Sequence, residues 1–188
     1  NYSSTTADNR GVLLFGGYQW DAMSGAEIAQ GHNSAFVDKQ NRSFVVYHTR
    51  FSNGGEGHQV RVHQLFLNDE GWLMAAPFEF DGETITDAAI ASKASIADAD
   101  IAGDYQFMRH QYGQNTKAKA FETPVNITLN ADGTITGAEK GTWKRTAGTD
   151  YIHLTINDVV YRGVLVKQTI DYTNIPAIAI SALSSSSG

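Results

Sequence analysis

The chain has no cysteine at all. That removes any disulfide framework and any thiolate metal site. Zero cysteine fits the cytosol and a bacterial secreted protein equally, so it does not fix the compartment. No apolar run approaches the roughly 18 residues that a spanning helix needs, so no membrane segment is expected. No signal peptide is visible either, because the opening "NYSSTTADNR" is polar. Basic residues are sparse, and the longest basic run is Lys144-Arg145. With a formal charge of -6 and a pI near 5.4, the chain lacks the clustered cations that phosphate binding requires. A nucleic-acid partner is therefore not expected. The charged fraction of 18% is low for long amphipathic surface helices, and only 3 prolines are present.

What is present points the other way. The chain carries 18 glycines, 8 tyrosines, 9 phenylalanines and 3 tryptophans in 188 residues. Aromatics between glycine-marked turns predict many short strands. The length allows one ordinary domain or two small ones, with a real core.

Along the chain, "GVLLFGGYQW" (11–20) is apolar, aromatic and bounded by glycine, which predicts a strand. "SAFVDKQNRSFVVYHTRF" predicts a hairpin turning at Lys39-Gln40-Asn41-Arg42. "HQVRVHQLFLNDEGW" alternates, with Val60, Val62, Gln64 and Phe66 on one face and Arg61, His63, Leu65 and Leu67 on the other. Asn68-Asp69-Glu70-Gly71 turns it back toward Trp72 to Ala75. Residues 82–100 change texture, to Ala, Ser and Asp with little bulk. Alanine favours a short helix there. Without a clear apolar stripe the segment reads instead as a linker between a first unit, 1–81, and a second, 101–188.

The second unit is again strand-like, beginning at "GDYQFMRHQ". "PVNITLNADGTITG" predicts a hairpin with an Asp132-Gly133 turn, and "DYIHLTINDVVYRGVLVKQTID" another at Asn157-Asp158. "PAIAISALS" is a last strand, and "SSSSG" reads as a disordered tail. Five or more antiparallel strands at this spacing suggest a small barrel or sandwich. No exact repeat appears, although residues 11 to 80 hold about the strand content of one β-propeller blade plus part of its neighbour.

Few residues stand out chemically. His32 follows Gly31 at a strand entry and has the chemistry of a metal ligand or a hydrogen-bonding group. His48 and Arg50 alternate with Thr49, so a regular strand puts them on one face. Arg50 offers a fork of donors for carboxylates or sugar hydroxyls. Taken singly, these residues also read as polar strand ends. His58 and His63 are five apart and make a poor chelating pair. His63 reads as a hydrogen bonder at the core edge, and His110 and His153 as structural. "NADGT" lacks the further oxygens of a calcium loop, and no GxSxG or P-loop ending occurs. Glycosidase chemistry needs two carboxylates across a cleft. Asp38, Glu56, Asp69, Glu70, Glu79 and Asp81 sit mostly in turn-like positions, and none is named as catalytic.

The motifs "GHNSAFVD", "FVVYHTRF" and "HQVRVHQLFLNDEGWLMAAPFEFDGE" resemble the last propeller blade of the extracellular endo-arabinanases of glycoside hydrolase family 43. "IAGDYQFMRH", "ITLNADGTITG", "GTW" and "YRGVLVKQ" are similar to their small all-β C-terminal domain. The resemblance spans roughly residues 11 to 183. It implies an all-β chain: the C-terminal part of a five-bladed β-propeller, then a small antiparallel barrel or sandwich. It implies hydrolysis of α-1,5-linked arabinan with inversion, by a secreted bacterial enzyme. It also implies that His32 binds a calcium ion largely completed by water, and that Arg50 faces the cleft, with His48 and Asn33 as further substrate contacts.

The catalytic carboxylates would come from earlier blades, on an N-terminal chain or segment. The chain would be a glycoside hydrolase only in combination with it. Two other readings stay open: a carbohydrate-binding module using Trp20, Trp72 or Trp143 as sugar platforms, and a purely structural β domain.

Overall fold

A computed structural model describes residues 12–55, 57–110 and 121–184. Glu56, the opening residues 1–11 and the tail at 185–188 lie outside the described residues. The chain is all-β, as its composition and motifs led one to expect. It forms two antiparallel meanders. The first sheet has the order β1-β2-β3-β4, from β1 (Glu27–Val37), β2 (Ser43–Phe51), β3 (Gln59–Leu67) and β4 (Leu73–Ala75). The second has seven strands in reverse order from β11 to β5. They are β5 (Gly103–Phe107), β6 (Val125–Leu129), β7 (Thr134–Gly137), β8 (Gly141–Arg145), β9 (Tyr151–Ile156), β10 (Val159–Thr169) and β11 (Pro176–Ser184). Between the sheets run α1 (Asp87–Ser92) and α2 (Asp98–Ile101). Among the described residues no helix is long and apolar enough to cross a membrane.

Turn chemistry sets the hairpins. Asp38 Oδ1 accepts from the backbone N–H of Gln40 and of Arg42, both at 2.9 Å, while Asn41 takes the left-handed conformation. Asn68 Oδ1 does the same for Glu70 and Trp72. Asn157 and Asp158 both have positive φ, the pairing that a tight two-residue hairpin requires. Asn and Asp tolerate that region better than other side chains.

The stretch at 12–20 differs from its predicted strand. Among its described residues, Tyr18 makes isolated bridges to Glu27 and Glu122. Leu14 and Phe15 turn inward against Val45, Tyr47 and Leu65 instead of extending a ladder. Gly16 and Gly17 between them are tied across the fold: Gly16 O accepts from the Gln30 side chain and Gly17 O from Glu122 N–H.

Residues 82–100 are anchored by single isoleucines. Thr86 caps α1 by accepting from Ala89 N–H. Ile90 then packs with Phe66, Met74, Val164, Val166 and Ala179, and Ile96 enters the second sheet's core with Ile101 and Leu129. The first of these clusters joins the two sheets, because Phe66 and Met74 come from one and Val164 and Val166 from the other.

Polar bridges reinforce that junction. Gln168 exchanges two hydrogen bonds with the backbone of Phe78, at 3.3 and 3.1 Å. His153 Nε2 lies 2.6 Å from Asp69, which also meets Arg162 at 3.0 Å. Deeper in, Arg61 binds buried Glu27 at 2.9 Å and donates to the Tyr172 hydroxyl at 2.8 Å. Nearby, Glu79 N–H donates to Asp171 Oδ1 at 2.9 Å.

Candidate functional site

The site is built on an irregularity. β1 pairs with β2 in antiparallel register, but the register shifts twice, between Ile28 and Gly31 and between Gly31 and Ser34. Ala29 and His32 lie in these gaps with φ of 55° and 44°. A left-handed conformation costs a non-glycine residue about 1–2 kcal/mol. Such strain persists only where the surroundings impose it, and it clusters at functional sites. Bulges also re-aim side chains, and this pair brings the exposed His32 ring onto β2.

There His32 meets His48. The two Nδ1 atoms are 3.0 Å apart and the ring centroids 4.7 Å apart. His58, from the loop before β3, stands edge-on to His48 with centroids at 4.6 Å. Desolvation holds the His48 imidazole below its ordinary histidine value, and the charges of His58, His32 and Arg50 push it further down. A hydrogen bond to the backbone at Ala29 acts in the opposite direction. Arg50 lies two residues along β2 from His48, on the face opposite the buried Tyr47 and Thr49. Asn33 is exposed next to His32.

The structure therefore brings His32, His48 and Arg50 into one patch, with Asn33 at its rim. His58, set aside in the sequence because it suits no chelating pair with His63, is the third histidine of the patch. Its partner is on another strand, so spacing along the chain could not show it.

Calcium prefers oxygen ligands. Among the described residues, no group of three His, Asp or Glu side chains is arranged to hold a metal. What the site offers is one exposed imidazole. With Nδ1 turned to His48, Nε2 of His32 remains for a ligand. That fits an ion whose shell is otherwise water and poorly fits a caged one.

The other titratable groups are engaged elsewhere. His63 is fully buried, accepts at Nε2 from the Tyr47 hydroxyl and donates from Nδ1 to Ala76 O at 2.8 Å. Burial lowers it to about 4. Burial lowers His110 likewise to about 4, and its Nδ1 accepts from Gly16 N–H. Asp38 pairs with Arg42, Asp69 and Glu70 with Arg162, and Glu79 lies 3.6 Å from Arg61. Sequence reasoning missed buried Glu27, whose carboxyl burial pushes up. It also missed Asp171, which burial raises to about 7. Of the tryptophans, Trp20 packs on Phe78 and Trp143 on the second sheet's core, while Trp72 is 50% exposed.

A family profile described as the C-terminal lipocalin-like domain, GH43_C, matches residues 77–188. The chain belongs to this family. The GH43_C region begins just after β4 and takes in both helices and the whole second sheet. Similarity to known proteins extends further, into the first sheet. An extracellular endo-alpha-(1->5)-L-arabinanase of Thermotoga petrophila is 40% identical over 177 residues, covering 88% of this chain and 35% of that protein. Extracellular endo-alpha-(1->5)-L-arabinanase 2 of Bacillus subtilis is 38% identical over 162 residues, covering 84% and 32%. The crystal structure of a family 43 glycoside hydrolase from Bacillus licheniformis superposes with a TM-score of 0.78 at 37% identity, over 91% of this chain and 36% of that one. The Thermotoga petrophila endo-1,5-alpha-L-arabinanase gives 0.78 at 38% identity, over 91% and 38%. The chain thus spans about a third of the length of the curated relatives it matches.

Proposed function

We propose that this chain is the C-terminal part of a secreted endo-arabinanase that cleaves internal α-1,5-arabinofuranosidic bonds with inversion. The first sheet serves as the last blade of a five-bladed propeller. The observation that carries this reading is that both arabinanase relatives match across the two sheets together, well beyond the GH43_C region.

The exposed surface of the first sheet supports it. β1 is an edge strand. Phe36, Val37 and Val60 are 48%, 60% and 64% exposed. Phe36 and Val37 lie on β1 itself, at the end away from the Tyr18 bridge to Glu27, and an open strand edge carrying exposed apolar residues invites a neighbour. In this reading the neighbour is the adjoining blade of an N-terminal segment, which also supplies the catalytic carboxylates. Arg50 and Asn33 face the arabinan chain as hydrogen-bond donors. His32 gives one nitrogen to calcium, and the ion's charge would set the local field around those carboxylates.

The test is reconstitution. The chain should be inactive on linear arabinan alone. Joined to an arabinanase N-terminal portion, it should release oligosaccharides of inverted anomeric configuration, detected by proton NMR. Cleavage by the isolated chain would overturn the proposal. So would a reconstituted enzyme indifferent to loss of Arg50. Trp72 favours a second reading, as a sugar platform on a rigid hairpin. Arabinan binding by the lone chain that is lost in Trp72→Ala would support that instead.

A further inference from the structure

Of the asparagines in the chain, only Asn53 is followed by glycine. The pair sits at the exposed tip between β2 and β3, where Gly54 N–H donates to Phe51 O at 3.1 Å. Glycine puts no Cβ beside the backbone nitrogen, and exposed loop tips are where a chain is most open to change. Gly55 follows with open space around it. Every other asparagine precedes a residue whose side chain crowds that nitrogen. Several are also held by the fold. Asn68 is buried, and its Oδ1 accepts from Glu70 and Trp72 N–H. The residue after Asn33 is Ser34, paired with Val46 in the ladder. The residue after Asn41 is Arg42, whose N–H donates to Asp38.

The Asn53 side chain also ties two parts of the first sheet together. Its Nδ2 donates to Ser24 O at 3.0 Å. The amide lies so close to Gly25 that a Cβ there would overlap it. This segment leads into β1. Ser52 holds it as well, donating its N–H to Ala26 O and accepting at its hydroxyl from Ala26 N–H.

We propose that Asn53-Gly54 is a self-modification site: the amide cyclises on the next backbone nitrogen and ages to aspartate or isoaspartate, which releases the β2–β3 turn from the segment entering β1. The Gly54 nitrogen gives up its proton to hydroxide and bonds to Asn53 Cγ. The bond from Cγ to Nδ2 breaks, and ammonia leaves with a proton from water. Water then opens the five-membered imide. Attack at the side-chain carbonyl gives aspartate, and attack at the main-chain carbonyl gives isoaspartate. The hydrogen bond from Gly54 N–H to Phe51 O must open first, so the folded chain reacts more slowly than a free peptide. Either product puts a carboxylate oxygen where Nδ2 donated. That oxygen faces Ser24 O with no hydrogen between them, so the tie becomes a repulsion. Isoaspartate adds a methylene to the main chain of the turn. The same turn joins Arg50 to His58, so ageing acts beside their patch.

The test uses the full chain, incubated at pH 5 and at pH 8. Peptide mapping by mass spectrometry should find Asn53 converted first, and faster at pH 8, because the attacking nitrogen must lose its proton. Isoelectric focusing should show a new acidic band as the product accumulates. Asn53→Gln should remove that band. Gly54→Ala should slow its appearance severalfold or more. A Cβ at Gly54 would make only ordinary contact with Phe51, at 3.6 Å, so the turn keeps its shape. Hydrogen exchange is the second readout. In Asn53→Asp, the amides of residues 24–27 should exchange faster than in the parent. First conversion at any other asparagine would overturn the proposal. So would an Asn53 that stays intact over many half-lives of a free peptide of residues 50–57. Unchanged exchange at 24–27 in Asn53→Asp would overturn the release of the turn.

Discussion

Replacing Asp171 by asparagine should stabilise this protein above neutral pH and leave it unchanged in mild acid. Asp171 sits in the turn between β10 and β11, against the first sheet. Burial is the main cause of its raised pKa, and the neighbouring Glu79 and Glu27 carboxyls add to it. The Glu79 backbone N–H and the Arg61 charge oppose the rise. The balance lifts the carboxyl from 3.8 to about 7. Between those two values the folded protein keeps a proton that the unfolded chain has lost. Stability from this group is therefore highest below about pH 4 and falls as pH rises to about 7. One pKa unit is about 1.4 kcal/mol, so the loss is at most about 4 kcal/mol, and about 2 with structural relaxation. His63 and His110, both lowered to about 4, act in the opposite sense below the ordinary histidine value. The parent's own profile therefore mixes the three groups, and the difference between Asp171→Asn and parent isolates one. Asparagine keeps an oxygen for Glu79 N–H and removes the charge. Thermal unfolding should show matching midpoints near pH 3.5 and a variant higher by roughly 5–15 °C at pH 8. A variant less stable at pH 8, or a difference that does not change with pH, would refute the reasoning.

Other substitutions probe the junction and the second sheet. Arg61→Met leaves Glu27 buried without its guanidinium and should cost about 3–5 kcal/mol in urea unfolding. Ile152, fully buried in the second core, should cost about 2–5 kcal/mol as alanine, read the same way. Gly141→Ala would drive a methyl into the Thr155 carbonyl oxygen of the paired strand, so hydrogen exchange should rise along β8 and β9. Trp72→Ala, at a half-exposed tip, should change stability by less than about 0.5 kcal/mol.

Much of the fold was legible because turns carry local chemistry. Asn68 to Gly71, Asp132-Gly133 and Asn157-Asp158 announce their hairpins by residue type alone. Residues 12–20 misled because Leu14 and Phe15 are apolar for packing and not for pairing, and periodicity does not distinguish the two. The helices at 82–100 were hard to see because a single isoleucine anchors each, too few for a stripe. At the site, residue types marked His32 and Arg50, but strand parity assumes a regular strand. The double register shift in β1 breaks that assumption and puts His32 on His48. The Glu27, Arg61 and Asp171 cluster joins residues up to a sheet apart, and no local pattern encodes it.

In the proposed function, this chain completes an arabinan-cleaving propeller and the catalytic acids lie on an N-terminal segment. Incubating the purified chain with linear arabinan, with and without a complementary N-terminal arabinanase segment, tests that most directly. The chain alone should give no new reducing ends, and the pair should cleave internally. Cleavage by the chain alone, or a pair that never associates, would contradict it.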